Sequence, residues 1–152
     1  MSPIWTCPLC NRKFRRTNQR HACGVGDRST LLKNKSPALV KLYGSLEAAA
    51  KRLSAVEIVT RDRYVLFRTT RIFADMTFMR DAIRLVVHLA REVHAPCFVK
   101  VQQGRDGRVA HVAKLHSATE LRAVTPFLRE AYQLARSEEA SAGTPTTTGD
   151  AV

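Results

Sequence analysis

The spacing of apolar positions changes near residue 56, from the three-to-four-residue period of a helix to the two-residue period of a strand. Ser36 and Pro37 are residue types favoured at a helix N-cap and first turn, and apolar positions then recur helically through Leu53. Beyond that point six segments alternate between apolar and polar positions: 56–60, 64–69, 71–79, 82–90, 97–102 and 108–116. Because no helical pattern separates these segments, we expect an antiparallel sheet of five or six strands.

The helical period returns at Ser117-Ala118-Thr119-Glu120, which has the sequence of a capping box. The pattern predicts a helical region through Arg136, divided near Pro126 into a short helix and a longer one. Residues 138–152 are rich in Ser, Ala, Gly, Thr and Pro and offer little to bury, so we expect a disordered tail. The predicted fold class is α+β: a helix, a mainly antiparallel sheet and a C-terminal helix.

Four residues near the N-terminus have the spacing of a zinc site: Cys7, Cys10, His21 and Cys23. The two-residue gap in the first pair is that of a zinc knuckle, and the set supplies three sulfurs and one nitrogen. Four protein ligands leave no position for water, so the predicted Zn²⁺ is structural. The one-residue gap in the second pair does not place both ligands on one helical face, so a base-reading helix is not expected.

Two alternatives to this ligand set stay open. The cysteines could instead be a disulfide or plain buried thiols, but Met1 to Trp5 does not resemble a secretory signal. A reducing, cytoplasmic location is therefore expected, and clustered Cys and His there favour metal over disulfide. The fourth ligand is also undecided, because His94 or His116 could replace His21.

Basic residues outnumber acidic ones, with 25 Lys and Arg against 13 Asp and Glu and a net charge of +12. A chain of this charge attracts polyanions, so nucleic acid, either DNA or RNA, is the expected partner. No apolar run approaches the roughly 18 residues of a membrane span, and no membrane partner is expected. The candidate phosphate contacts lie among the zinc ligands, on the predicted strands or in the connection 61–63 between two of them: Arg12, Lys13, Arg15, Arg16, Arg20, Arg61, Arg63, Arg68 and Arg84.

A second hypothesis makes the α+β domain a module that binds a protein or a small ligand, with zinc only holding the N-terminal segment. Its candidate pocket residues are Tyr64, His88 and His111. Enzymatic activity is not favoured, because the chain has no reaction-specific motif and Cys97 is more typical of a buried small residue than of a nucleophile. The predicted organisation is a zinc knuckle (1–24), a linker (25–35), the α+β domain (36–137) and the tail.

The chain resembles a family of short bacterial proteins in which a Trp-x-Cys-Pro-x-Cys…His-x-Cys knuckle precedes an uncharacterised α+β domain. The matching stretches run from Trp5 to Phe14, from Gln19 to Cys23, over Phe73-Ala74, from His111 to Ser117 and over Ala131-Tyr132. Asn11 stands where that family commonly has Gly, and Asn also tolerates the left-handed conformation. The resemblance implies the fold and the zinc site, and it implies no activity because the second domain of that family has no known function.

Overall fold

A computed structural model of the chain describes residues 4–8, 13–18, 28–104 and 106–143, with 138–143 described by their backbone alone. Two short strands, β1 (Trp5–Thr6) and β2 (Lys13–Phe14), form an antiparallel N-terminal hairpin. The helices are α1 (Arg28–Leu32), α2 (Pro37–Lys51) and α3 (Ala118–Gly143). The larger sheet contains β3 (Glu57–Thr60), β4 (Tyr64–Arg68), β5 (Ile72–Phe78), β6 (Ile83–Leu89), β7 (Lys100–Gln103) and β8 (Val109–Leu115).

The larger sheet is antiparallel throughout, in the order β3-β4-β5-β6-β8-β7. Neighbouring strands follow one another along the chain except at one end, where β8 lies between β6 and β7. The register shifts between β4 and β5 at Phe67 and Arg68. The predicted α+β class is confirmed, and each of the six segments with a two-residue period overlaps one strand, although β7 ends one residue beyond its segment.

The core lies between one face of this sheet and the helices. Ser36 caps α2 as predicted, because its hydroxyl oxygen accepts a hydrogen bond from the backbone N–H of Leu39 at 3.2 Å. The apolar stripes of α2 and α3 then meet the inward-facing residues of the strands. The largest side chains buried in this layer include Tyr43, Leu46, Phe67, Phe73, Met76 and Leu128.

The domain extends further in both directions than the sequence predicted. The segment predicted as a linker contains α1, whose Leu31 is buried in the core and whose Arg28 makes two hydrogen bonds with the Glu47 carboxylate at 3.0 and 3.1 Å. A helix of five residues is too short to show a helical repeat of apolar positions, so the sequence did not indicate that α1 is buried. At the other end α3 continues to Gly143, into the predicted tail, and residues 144–152 lie outside the described part.

The predicted division of α3 at Pro126 is wrong, because the helix passes through this residue. Pro126 offers no N–H to the carbonyl four residues earlier, yet the buried residues Val124, Leu128 and Ala131 bracket it and pack into the core. The Thr125 hydroxyl donates a hydrogen bond to the Leu121 carbonyl at 2.7 Å, inside the same turn. Tertiary packing therefore overrides the local preference of proline.

None of the helices in the described residues is both long enough and apolar enough to cross a membrane.

Candidate functional site

The two faces of the large sheet carry different side chains. Ile83, Leu85, Val87 and Leu89 of β6 belong to the core under the helices. The alternate residues of this strand therefore point to the opposite side, which we call the outer face. Directly paired residues of an antiparallel ladder share a face, so the register assigns the outer residues of the neighbouring strands as well.

Four paired residues form a continuous line across the outer face. Tyr64 pairs with Thr77, Thr77 pairs with Arg84, and Arg84 pairs with Lys114. We call these four residues the outer row. The row crosses β4, β5, β6 and β8, and one further strand lies beyond each of its ends. Its first residue, Tyr64, is an aromatic with 41% of its surface exposed, and its last, Lys114, is an exposed cation.

Two cations lie directly opposite each other in the outer row. Such cross-strand pairs place their Cβ atoms about 4.5–5.5 Å apart, and like charges at this position destabilise the sheet. Lys100 adds a third cation, because its partner Val112 lies two residues from Lys114 on β8. Within the described residues neither Arg84 nor Lys114 forms an ion pair with a carboxylate. Positive charge therefore accumulates on this part of the face without a direct ion pair to a described carboxylate. The Asp75 carboxylate lies on the same face, two residues from Thr77 along β5.

The carboxylate of Asp75 on the same face has a different neighbour. Its Oδ2 atom lies 3.4 Å from Nε2 of His88, and both side chains are partly buried. Beside this pair lies a small apolar cluster of Val86, Ala110 and Val112, which are buried although they face away from the helices. Val86 pairs directly with Asp75, and Ala110 pairs directly with His88. The outer face thus combines a small apolar cluster with the cations of the outer row, and the Asp75–His88 pair lies beside the cluster.

Arg68 joins the N-terminal hairpin to the sheet, and only 4% of its side chain is exposed. Its Nη2 atom donates to the carbonyls of Lys13 at 2.7 Å and Thr70 at 2.9 Å. Its Nη1 atom donates to the Glu57 carboxylate at 3.3 Å. The guanidinium also stacks on the Phe14 ring, 4.4 Å from its centroid. The prediction that Arg68 contacts phosphate is therefore corrected, because its guanidinium donates to partners inside the protein and stacks on the Phe14 ring.

The other predicted phosphate contacts fall in separate places. Lys13, Arg15 and Arg16 lie on β2 and in the turn that follows it. Arg61 and Arg63 lie in the connection between β3 and β4, and Arg63 immediately precedes Tyr64 at one end of the outer row. Arg12 and Arg20 lie outside the described residues.

The structure does not bring Tyr64, His88 and His111 into one pocket. Tyr64 and His88 lie on the outer face, whereas His111 lies on the helix side and has no exposed surface. The Phe98 ring packs against the imidazole at a centroid distance of 4.9 Å. The pocket predicted from the sequence is therefore wrong, because the sheet itself separates its members.

Both nitrogens of the His111 ring have backbone partners. Its Nδ1 atom donates to the Val109 carbonyl at 2.9 Å, and its Nε2 atom accepts the N–H of Val93 at 2.9 Å. This arrangement requires the neutral ring. Desolvation lowers the pKa of His111 below 6.5, against the smaller opposing effects of the Val109 hydrogen bond and of the carboxylates of Glu130 and Glu92. His111 is thus a structural residue that holds the β6–β7 connection to β8.

Cys7 is the one predicted zinc ligand that the structure describes. It follows β1, its side chain is only 3% exposed, and the rings of Trp5 and Phe14 lie 5.8 Å apart across the hairpin. A buried thiol on a hairpin with so little core fits a structural metal, which would supply the missing stabilisation. The other predicted ligands, Cys10, His21 and Cys23, lie outside the described residues.

The described residues contain no group of three or more His, Cys, Asp or Glu side chains that could hold a metal ion. The alternative fourth ligands each lie beside a carboxylate instead, His94 beside Glu92 and His116 beside Glu120. The zinc site itself stays a prediction.

The fold defines the class of the larger domain as α+β, with helices on one face of an antiparallel sheet. A family profile described as a domain of unknown function, DUF5655, matches residues 29–135. This match covers more than half of the chain, and the protein belongs to the DUF5655 family. The comparisons with curated proteins and with solved structures returned no match.

Sequence reasoning missed two of the cations on the outer face, Lys100 and Lys114. The alternation within β8 places Lys114 on the same side as Val112, and this signal is present in the sequence. The pairing that puts Lys114 opposite Arg84 joins residues 30 positions apart, and nothing local in the sequence specifies it.

Proposed function

We propose that this protein binds nucleic acid through the outer face of its sheet, with a structural Zn²⁺ ion folding the N-terminal hairpin. The observation that supports the proposal most directly is the Arg84–Lys114 pair. Two cations held side by side repel each other, and a phosphate between them would turn this repulsion into two attractive contacts. Each phosphate neutralised in this way also releases counterions, which adds affinity at low salt.

In this proposal the cations of the N-terminal hairpin extend the interface beyond the outer row. Because Arg68 fixes the backbone of β2 to the sheet, the cations Lys13, Arg15 and Arg16 have a defined position relative to the domain. Cys7, Cys10, His21 and Cys23 would hold the zinc, whose contribution is to stabilise this small unit. The chain's own cations provide the contacts to the sugar–phosphate backbone.

The test compares two double variants that remove the same charge. Arg84→Gln with Lys114→Gln changes the outer row, and Lys51→Gln with Arg129→Gln removes two exposed cations from the helices α2 and α3. Affinity for labelled nucleic acid is measured over a salt series. The outer-row variant will bind more weakly, and its log–log salt slope will fall by about 0.7–0.9 for each lost phosphate contact.

The helix variant is the matched control and will keep most of the affinity. If both variants lose affinity equally, only the net charge matters and the outer face is not the interface. A third variant, Lys114→Glu, separates binding from folding. It creates an opposite-charge pair with Arg84 that stabilises the fold by about 0.2–1 kcal/mol, while the reversed charge weakens binding. Weaker binding by a more stable protein cannot be attributed to unfolding.

A further inference from the structure

We propose that the ligand of the outer face is single-stranded nucleic acid, with one base stacked on Tyr64 and the following phosphates at Arg84 and Lys114. This inference rests on the proposed function and names its substrate class. It depends on three features of the outer row: an exposed aromatic at one end, a pair of cations at the other, and a position in the middle of a wide sheet.

Tyr64 provides a surface on which a base can stack. Among the Phe, Tyr and Trp side chains in the described part of the chain it is the most exposed, at 41%. The other aromatics of the domain, including Tyr43, Phe67 and Phe73, are buried in or packed against the core. Bases stack on aromatic side chains with little sequence preference, because every base has a π face.

The spacing within the outer row suits a nucleotide chain. Adjacent strands lie about 4.8 Å apart, so Arg84 is roughly 10 Å from Tyr64 across the sheet and Lys114 is roughly 14 Å away. A strand whose base covers Tyr64 can therefore continue along the row and bring its next phosphates to the two cations. Thr77 lies between the aromatic and the cations, and it is partly exposed, so its hydroxyl can contact the sugar–phosphate backbone.

The width of the sheet argues against reading of a duplex. The major groove is about 12 Å wide and admits an α-helix or a two-stranded ribbon. The outer row lies on four adjacent strands and has β3 and β7 beyond its ends, so the face cannot enter a groove. A duplex can only touch this surface with its phosphates, whereas the unpaired bases of a single strand can also stack on Tyr64.

The experiment measures the affinity of the full-length protein for labelled oligothymidylate and for a mixed-sequence duplex of equal length. Tyr64→Leu removes the ring and keeps an apolar side chain, and Tyr64→Phe keeps the ring. We expect the wild-type protein to prefer the single strand. Tyr64→Leu will lower the affinity for oligothymidylate by about fivefold to a hundredfold and leave duplex binding unchanged, while Tyr64→Phe will retain most of the affinity.

Two other outcomes would contradict the stacking role alone or the proposed function as well. The protein could bind both ligands and lose affinity for both in the Arg84→Gln, Lys114→Gln variant, while Tyr64→Leu has no effect or lowers the two affinities equally. In that case the stacking role of Tyr64 is wrong and the proposed function stands. If the protein binds neither ligand even at low salt, both proposals fail. Thermal unfolding of Tyr64→Leu serves as the folding control, since an exposed side chain contributes little to the core.

Discussion

The guanidinium carbon of Arg68 lies 4.4 Å from the centroid of the Phe14 ring, and this stack fastens the N-terminal hairpin to the domain. The same side chain bonds the Lys13 carbonyl, so it holds β2 by both its backbone and its aromatic residue. Arg68 belongs to the segment matched by the DUF5655 family, whereas the hairpin precedes that segment. One buried cation of the family domain therefore holds the N-terminal hairpin against the sheet.

We expect Arg68→Ala to release the hairpin and to lower the free energy of unfolding by about 2–3 kcal/mol. The reason is that the acceptors on Lys13, Thr70 and Glu57 lose their donor when the guanidinium is removed. Trp5 is the single tryptophan of the chain and lies on the hairpin, so its fluorescence reports the release directly. Arg68→Lys keeps the charge but not the planar fork, and its effect will be intermediate. Unchanged Trp5 emission in Arg68→Ala would show that other contacts hold the hairpin.

The buried ring of His111 makes stability depend on pH. Because the folded state lowers the pKa of this group below 6.5, the unfolded chain takes up the proton first as the pH falls. The contribution of His111 to the free energy of unfolding is therefore fully present above about pH 6.5. It is lost progressively as the pH falls from there toward the pKa of the group in the folded state.

His111→Gln removes the titrating ring and keeps an oxygen that can accept the Val93 N–H. This variant will show a flatter dependence of the free energy of unfolding on pH in this window, measured by urea unfolding. An NMR titration of the His111 ring in the folded protein will give a midpoint below 6.5. Equal slopes for the wild-type protein and His111→Gln would show that another group is responsible.

The zinc prediction is tested by comparing two cysteines within the described residues. Cys7 is a predicted ligand, whereas burial raises the pKa of the Cys97 thiol, which disfavours the thiolate that binds metal. We expect Cys7→Ser to lower the zinc content of the purified protein and Cys97→Ser to leave it unchanged. Chelation of the metal will shift the emission of Trp5 and leave the far-ultraviolet signal of the α+β domain largely intact. Full zinc content in Cys7→Ser would remove this residue from the ligand set.

Replacement of Pro126 should stabilise the protein. The residue is exposed inside α3, so Pro126→Ala restores a backbone hydrogen bond without disturbing the core, and we expect a gain of about 1–3 kcal/mol. Thr125→Val is the companion variant, because it keeps the shape and removes the hydroxyl that donates to Leu121. It will cost about 1 kcal/mol in urea unfolding. A loss of stability in Pro126→Ala would mean that proline fixes a bend that the core requires.

The sequence was informative about local structure. The two-residue period located all six strands of the large sheet, and the Ser36 cap located the start of α2, because such patterns reflect which side of an element is buried. The period could not detect α1, which is shorter than two turns, nor the continuity of α3 through Pro126. In both cases burial against distant residues determined the conformation.

The candidate site was only partly predictable for the same reason. Sequence alone determined the α+β class, the excess of positive charge and the presence of Arg84 and Tyr64 on strands. Only the tertiary structure decided that Arg84 faces Lys114, that Arg68 points into the protein and that His111 lies on the other side of the sheet. Alternation fixes the side of a residue within its own strand, but the order and register of strands depend on packing between residues far apart in the chain.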